Sequence, residues 1–516
     1  MEEPPVKSSL QPASGSGPAG LARAPVGAEL QTKGWHQEAA LRMLMNSLDP
    51  AVAGEESPRA QDAAQPRRSF DALVESLRSL NNDETQLVRA GKPAGVFHTG
   101  PIAPRVLITN VSPPDEVLPE GGAIERLGSV LFGQTSATSW TSIGAQAALS
   151  ATYMTFAAAA EKHFGGDLAG KLIVSDGMGK LGKAQPLAAT MNGAAFLGIE
   201  ANEEKITRSI RAGYCDYCVN SLDEALRILK VAVRKKQAVS VGLAGNCAEV
   251  LPELARRGVL PDLLTDEIRA NTYIPEELTP AESIRLQQEN SADYLARAHA
   301  SIARHVTAML ELQRMGAVAF DFGGSLLPAA LEHGRVKSAL QIPHFIAAYV
   351  LPLLQADRAP LRWAALSGDG SDIRKIDAEL ISLFAHDPIL QRWIEQAGKH
   401  VKFQGLPARA AWLGREQRIA LGDRINQMVA EKEIKAPVVI AGDFSDSNAI
   451  ARRPPLSGLV SAASGASWVA IQDENKDKTR TVTYAAVADG TPEAAGRIGE
   501  ALANGFATCT LLENTS

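Results

Sequence analysis

At 516 residues, with 45% hydrophobic and 21% charged side chains, the chain is long enough for two or three domains with large cores, and too apolar to be disordered throughout. A net charge of −6 gives no basic footprint for nucleic acid, and no run reaches the roughly 18–20 uncharged apolar residues of a membrane helix. The opening residues lack a basic start followed by an apolar stretch, so they do not read as a secretory signal, and a cytoplasmic enzyme is the expectation.

Residues 1–28 are rich in Pro, Gly, Ser and Ala, with too few large apolar groups to offset ordering, and read as a flexible tail. Globular sequence begins with WHQEAALRMLMNSLDP, in which Ala40, Leu41, Leu44 and Met45 fall on one helical face. The polar stretch AGEESPRAQDAAQPRRS reads as a loop. A helix over 70–80 and strands over 94–97 and 105–109 follow, and this opening module extends to about residue 140.

From 141 to 341 strands and helices alternate, which predicts parallel pairing and a doubly wound α/β sheet. Within it, residues 171–200 read as strand, glycine turn, helix and second strand. The β-branched run around Ile173 and Val174 stops at Gly177-Met178-Gly179-x-x-Gly182, a spacing that lets backbone turn tightly and approach a pyrophosphate. The next helix is predicted to start near Pro186 and to present free N–H groups to the phosphates. The second run, 196–199, ends at Glu200, where an acid can accept both ribose hydroxyl protons and favours NAD over NADP. The competing reading is an ordinary βα turn in another α/β sheet; the strand before, the helix after and the acid at the next strand end favour the dinucleotide.

Further along come the helix LDEALRILKVAVRKK, the strand AVSVGL, the segment GNCAEVLPELARRG, the strand PDLLTD, one long helix over 281–315 and the strand AVAFDFGG. Ligands of such sheets sit beyond the carboxyl ends of strands. Besides the turn and Glu200, that edge offers Gly245-Asn246, Asp266-Glu267 and Phe322-Gly323-Gly324. Lys180 and Lys183 inside the turn read either as solvated lysines or as added phosphate contacts. Cys215 and Cys218 form a C-x-x-C pair without a second pair or a histidine cluster, and read as two small half-buried residues.

The last third, 342–516, carries several polar clusters. Arg362 beside Trp363 is either a surface arginine over an aromatic or a bidentate clamp for a substrate carboxylate. In VVIAGDFSDSN, Asp443 and Asp446 follow a β-branched strand and read either as turn and capping residues or as working carboxylates. The chain has no internal repeat, no P-loop and no G-x-S-x-G.

Taken together, the runs EAALRMLMNSLDP, DETQLVRAGKPAGVF, FGGDLAGKLIV, GKAQPLAATMNGA, GNCAEVLPELARRGV, RHVTAMLELQRMGA, LRWAALSGD, FQGLPARAAWLG and SGASWV resemble the urocanase (urocanate hydratase) family, in its order and over most of the chain. The resemblance implies the urocanase fold: a Rossmann-like, doubly wound NAD-binding domain (141–341) inserted in a mixed α/β substrate domain built from 29–140 and 342–516. It also implies a homodimer and an imidazole acrylate substrate. NAD in this family is a tightly held electrophile attacked by a ring carbon of the substrate, and it is not a hydride carrier.

By the same resemblance Arg362 grips the acrylate carboxylate. Asp443 and Asp446 match the segment RDHxD that supplies acid–base chemistry, and Gln134 matches the segment GQMTAGSW, here GQTSATSW, which also contains Ser136. On the cofactor side Gly177, Met178, Gly179, Gly182, Gln185, Glu200, Lys205, Asn246, Glu267 and Phe322 are the expected contacts.

Several residues depart from the family pattern. The early Y-G-G-x-G-K/R-A run is absent, and Ala411 replaces the cysteine of LPARxCWLG. Phe444 replaces the histidine of RDHxD, Ser142 and Phe322 replace tyrosines, and Lys205 replaces an arginine. The glycine-rich H-H-x-G-G-V-G run becomes IQDENKDKTRT. Bulky polar groups give way to smaller or apolar ones while Arg362 remains, so the expectation is an acrylate with a larger, less polar ring, S-methyl-thiourocanate or thiourocanate. The alternatives are urocanate itself, a noncatalytic NAD-binding homologue, and a conventional NAD oxidoreductase.

Overall fold

The computed structural model describes residues 23–53, 65–111, 136–179, 182–446, 456–474 and 479–504. The chain opens with the helix Trp35–Leu48, the short helix Pro50–Ala53 and the helix Gln65–Ser79, which begins five residues before the expected start and takes in part of the expected loop. Strands β1 (Glu84–Arg89), β2 (Lys92–His98) and β3 (Val106–Val111) follow. The helix Gln146–Phe164 then leads to the alternating region.

That region contains β4 (Leu172–Asp176), β5 (Ala195–Glu200), β6 (Tyr217–Val219), β7 (Val239–Ala244), β8 (Leu263–Asp266) and β9 (Val318–Asp321). They form one parallel sheet in the order β6-β7-β5-β4-β8-β9. Every residue of β4 and β5 is buried, as expected where helices cover both faces and strands read as continuous apolar runs. From β4 the chain winds to one side through β5 and β7, and later to the other through β8 and β9. The β4/β8 gap is therefore the point where strand order reverses and a crevice opens at the carboxyl ends.

One expectation fails locally. The helix over 281–315 is two helices, Pro280–Glu289 and Ser291–Met315. Asn290 between them has φ −148° and ψ 78°, and its side-chain oxygen accepts from the Asp293 N–H at 3.2 Å. An asparagine offering that cap competes with a continued helix, although the apolar periodicity runs through it.

The remaining strands are β10 (Ala359–Ala365), β11 (Ala408–Leu413), β12 (Val438–Asp446), β13 (Trp468–Glu474) and β14 (Thr479–Ala488). They join the first three in an eight-stranded mixed sheet, order β11-β10-β12-β14-β13-β3-β1-β2, closed across the two ends of the chain by the parallel β3–β13 pair. The segments flanking the parallel sheet thus share a single sheet. The run that replaces the family's glycine-rich stretch contributes to β13 and β14, and β14 pairs directly with β12.

The helix Gln146–Phe164 lies between the two sheets. Leu149, Tyr153 and Phe156 belong to one continuous apolar core with Ile173 and Phe196 of the parallel sheet and Leu361 and Trp363 of the mixed sheet. The other face of the mixed sheet is covered by the helix Trp35–Leu48 together with Trp140 and Ile143.

Candidate active site

At the β4/β8 crevice Gly177 takes φ +71°, a left-handed conformation suited to glycine. A Cβ on Gly182 would overlap the Gly177 carbonyl oxygen, so the turn closes only around a hydrogen. The Glu267 carboxylate lies against all three motif glycines, with the Ile268 side chain nearer still at Gly177, 2.9 Å from where its Cβ would lie. Glu267 Oε2 stands 3.5, 3.2 and 2.9 Å from where Cβ atoms of Gly177, Gly179 and Gly182 would lie. The cradle therefore already receives an anionic oxygen, as it would from a pyrophosphate.

Gln185 starts the helix Gln185–Met191, with Pro186 in the first turn as predicted, and is wholly buried. Neither end of its side-chain amide has a hydrogen-bond partner. A buried amide in that state calls for a bound group to satisfy it. Glu200 ends β5; its carboxylate accepts from the N–H groups of Met178 at 2.8 Å and Asn202 at 3.0 Å and from Lys205 at 3.2 Å. The glycine cradle, the orphaned amide and the acid at the neighbouring strand end fit a dinucleotide.

Other expected cofactor residues act from behind the crevice. The Asn246 amide is committed inside the protein: its oxygen caps the Ala248 N–H at 3.0 Å and its nitrogen donates to the Ile274 carbonyl at 2.9 Å. Met178 offers its backbone, while its side chain packs with Ile206 and Cys215. Phe322, expected at the cofactor, instead stacks its ring on Phe345 at 4.6 Å inside the main core, because it follows the last buried residue of β9.

Asp176, Asp266 and Asp321 end β4, β8 and β9 and are all buried. Burial, then the Asp321 and Asp176 carboxylates, hold Asp266 well above the usual carboxylate range. Asp321 Oδ1 accepts from the Gly323 and Gly324 N–H groups at 2.8 and 3.0 Å.

A second cluster lies on the mixed sheet. Arg362 on β10 is ion-paired to Asp443 on β12, and both are buried. The Thr483 hydroxyl on β14 donates to the other Asp443 oxygen at 2.7 Å. Burial draws the Arg362 guanidinium down to about 10, still charged at neutral pH. Register puts Arg362 level with Ala410 and Ala441, on the face packed by the helix Trp35–Leu48 and residues 136–143.

Ser136 and Ser142 border that face. The Ser136 carbonyl accepts from the Thr141 N–H at 2.9 Å, and the Ser142 carbonyl accepts from Asn46 at 2.8 Å. Gln472 and Trp468 of β13 donate to the Thr138 hydroxyl and the Ser139 carbonyl, which fixes the segment to the sheet.

Ala411, expected beside the substrate, pairs with Leu361 and lies in the main core on the opposite face. Side chains alternate along a strand, so being next to Ala410 in sequence places it away from Arg362. Gln134 and the side chains of Phe444 and Asp446 lie outside the described residues; the Asp446 backbone pairs with Arg480.

Two residues of this cluster were not singled out by the sequence reading. Thr483 meets Asp443 only through strand pairing. Tyr484, whose ring covers Gly442 on the other face, is pushed up to about 12 by burial and stands near Arg362. A scan of TRTVTYAAV for strand alternation would have flagged both.

The Urocanase N-terminal domain matches residues 22–141, the Urocanase Rossmann-like domain residues 144–349 and the Urocanase C-terminal domain residues 352–510. The chain belongs to the urocanase family. Urocanases are hydro-lyases of urocanate-type substrates, and their Rossmann-like domain binds NAD. In this urocanase that domain contains the whole parallel sheet and its glycine cradle, and the two flanking domains together supply the mixed sheet. No helix among the described residues is long and apolar enough to cross a membrane.

Proposed function

We propose that this urocanase is an NAD-dependent, non-redox hydratase of an imidazole acrylate, S-methyl-thiourocanate or thiourocanate, working as a cytoplasmic homodimer. The observation that carries the reading is the buried Arg362–Asp443 pair, supported by Thr483, on the face bordered by residues 136–142. NAD, when bound, supplies an electron sink that redirects the reactivity of the conjugated ring. Gly177, Gly179 and Gly182 would leave room for its pyrophosphate, Gln185 would hydrogen-bond to it, and Glu200 would take ribose hydroxyls.

Arg362 holds the acrylate carboxylate. A guanidinium has five N–H donors, so it can turn a pair of them to the substrate while keeping Asp443 in place. Asp443, held by Thr483, then keeps a carboxylate oriented beside the acrylate, suited to moving a proton at the side-chain carbon. Asp446 and Gln134 act at the ring.

The substrate assignment rests on Ser142, Phe444 and the missing tyrosine run, where polar partners for an unsubstituted imidazole are lost; a site without those partners favours a less polar ring. Purified enzyme is incubated with urocanate, thiourocanate and S-methyl-thiourocanate while the acrylate ultraviolet band is followed. Fastest loss of a thio-derivative is expected, and faster turnover of urocanate overturns the substrate assignment. Acid-released NAD from the same protein, with no net NADH at 340 nm, distinguishes a hydratase from an oxidoreductase; no turnover of any of the three leaves the noncatalytic homologue.

A further inference from the structure

Behind the glycine turn three side chains of different chemistry converge: Asp176 at the end of β4, Cys247 at the first position of the helix Cys247–Arg256, and His305 within the helix Ser291–Met315. All are at most 3% exposed, and their donor atoms lie within 4.8 Å of one another. The function proposed above uses none of them.

Each side chain is held on its outer side. Asp176 Oδ1 accepts from the Glu267 N–H at 2.8 Å. His305 Nδ1 lies 3.3 Å from the Tyr273 hydroxyl. That hydroxyl directs its own proton to Asn246 Oδ1 at 3.4 Å, and the Asn246 amide is fixed by its bonds to Ala248 and Ile274. Nδ1 is thus engaged on the side away from Asp176, and Nε2 is the ring atom that faces the carboxylate.

That contact is close but unsatisfied. His305 Nε2 is 2.9 Å from Asp176 Oδ2, yet neither atom has an aligned hydrogen bond. Two buried polar atoms at that distance without an aligned bond to each other are a natural pair of donors for a shared cation. Burial first, and then the Asp176, Glu200 and Asp266 carboxylates, raise the Cys247 thiol well above its usual range, so a thiolate here requires a bound cation.

We propose that Asp176, Cys247 and His305 bind a divalent metal ion of the zinc class, which ties the ends of β4 and β7 to the helix Ser291–Met315. Carboxylate oxygen, thiolate and imidazole nitrogen are zinc donors, with bonds of about 2.0–2.3 Å that bring donors on one ion to roughly 3.5 Å apart. To reach that spacing the 2.9 Å Asp176–His305 pair opens slightly while the longer separations, at most 4.8 Å, close. The pattern of support is also that of a metal site, in which the ring nitrogen opposite the metal is engaged by a fixed partner and the ligating carboxylate is anchored by its second oxygen. Through Asp176 the ion would fix the backbone of Glu267, and so the carboxylate in the glycine cradle.

The full-length protein is dialysed and its metal content measured by plasma mass spectrometry, and it is then titrated with Co2+. About one ion per chain is expected, with an intense sulfur-to-cobalt band in the near ultraviolet and the visible bands of a four-coordinate ion. The Cys247→Ala and His305→Ala variants should each lose the sulfur band or the stoichiometric binding at least about tenfold, while Cys215→Ala/Cys218→Ala keeps both. Failure of the wild-type protein to bind zinc or cobalt, or a sulfur band that survives Cys247→Ala, overturns the site. The wild-type titration is decisive even if a variant misfolds. Acid-released NAD from the same samples reports on the cofactor reading separately.

Discussion

In the mixed sheet one buried guanidinium, Arg362, faces one buried carboxylate, Asp443, and a threonine completes the pair. The carboxyl edge of the parallel sheet instead gathers Asp176, Asp266, Glu267 and Asp321 beside the imidazole of His305. The first arrangement is balanced before any ligand arrives, so a ligand must share what is already there. The second has an excess of acid and one oxygen already in its anion cradle, so it is relieved by a proton, a cation or the loss of a carboxylate. Removing a charge should consequently have opposite effects in the two places: harm at the pair, benefit at the edge.

The largest effect is expected at the pair. Arg362→Ala strands the Asp443 carboxylate in the core, which costs about 3–5 kcal/mol, and removes the carboxylate clamp, which should lower kcat/KM at least about a hundredfold. Urea unfolding and the acrylate assay read the two losses separately. The double variant Arg362→Met/Asp443→Leu should recover much of the stability and none of the activity, because two apolar groups leave no orphaned charge. If the double variant is no more stable than Arg362→Ala, the pair is not the balanced unit described here.

Much of this architecture was legible in the sequence because its rules are local. The glycine turn, the acid of Glu200 and the alternation of strands and helices follow from spacing alone, whereas Asp443 and Asp446 read as residues of a loop after the strand and in fact lie within β12. What failed depended on pairing between distant segments. Ala411 reads as a neighbour of the site, but a strand reverses its face at each residue and only the register with Leu361 shows which face it takes. Thr483 lies 40 residues from Asp443 and meets it only because β14 folds against β12. Cys247 and His305 sit singly on two helices, each an ordinary helical residue until the fold brings them to Asp176. Asn290 breaks a helix whose periodicity is uninterrupted, since a cap is a choice of one side chain and leaves the apolar pattern untouched.

At the parallel edge the sign reverses. Glu267→Gln keeps the shape of the side chain and removes a negative charge from the place a pyrophosphate must enter. Two like charges about 4 Å apart near a protein surface repel by a few kcal/mol, so the variant should bind NAD at least roughly a hundredfold more tightly. Calorimetric titration of the cofactor-stripped protein measures this directly. Weaker binding would mean that the carboxylate is a ligand of the cofactor rather than its competitor, and the contrast between the two regions would lose one of its supports.

The smallest effect is a slope. Burial and the neighbouring Asp321 and Asp176 carboxylates raise Asp266, so the folded protein keeps a proton that the unfolded chain releases near about pH 4. With the folded value above the unfolded one, the stability tied to that proton is fully present below the unfolded value and fades as pH rises through the folded value. Asp266→Asn offers an N–H to Asp321 at every pH and removes this titration. Urea midpoints of the metal-stripped protein measured from about pH 5 upward should therefore fall less steeply with pH in the variant than in the wild type, with the two curves closest at the acid end. Parallel curves in the metal-stripped protein would show that Asp266 is ionised in the folded state; with an ion bound at Asp176 the difference in slope is expected to shrink.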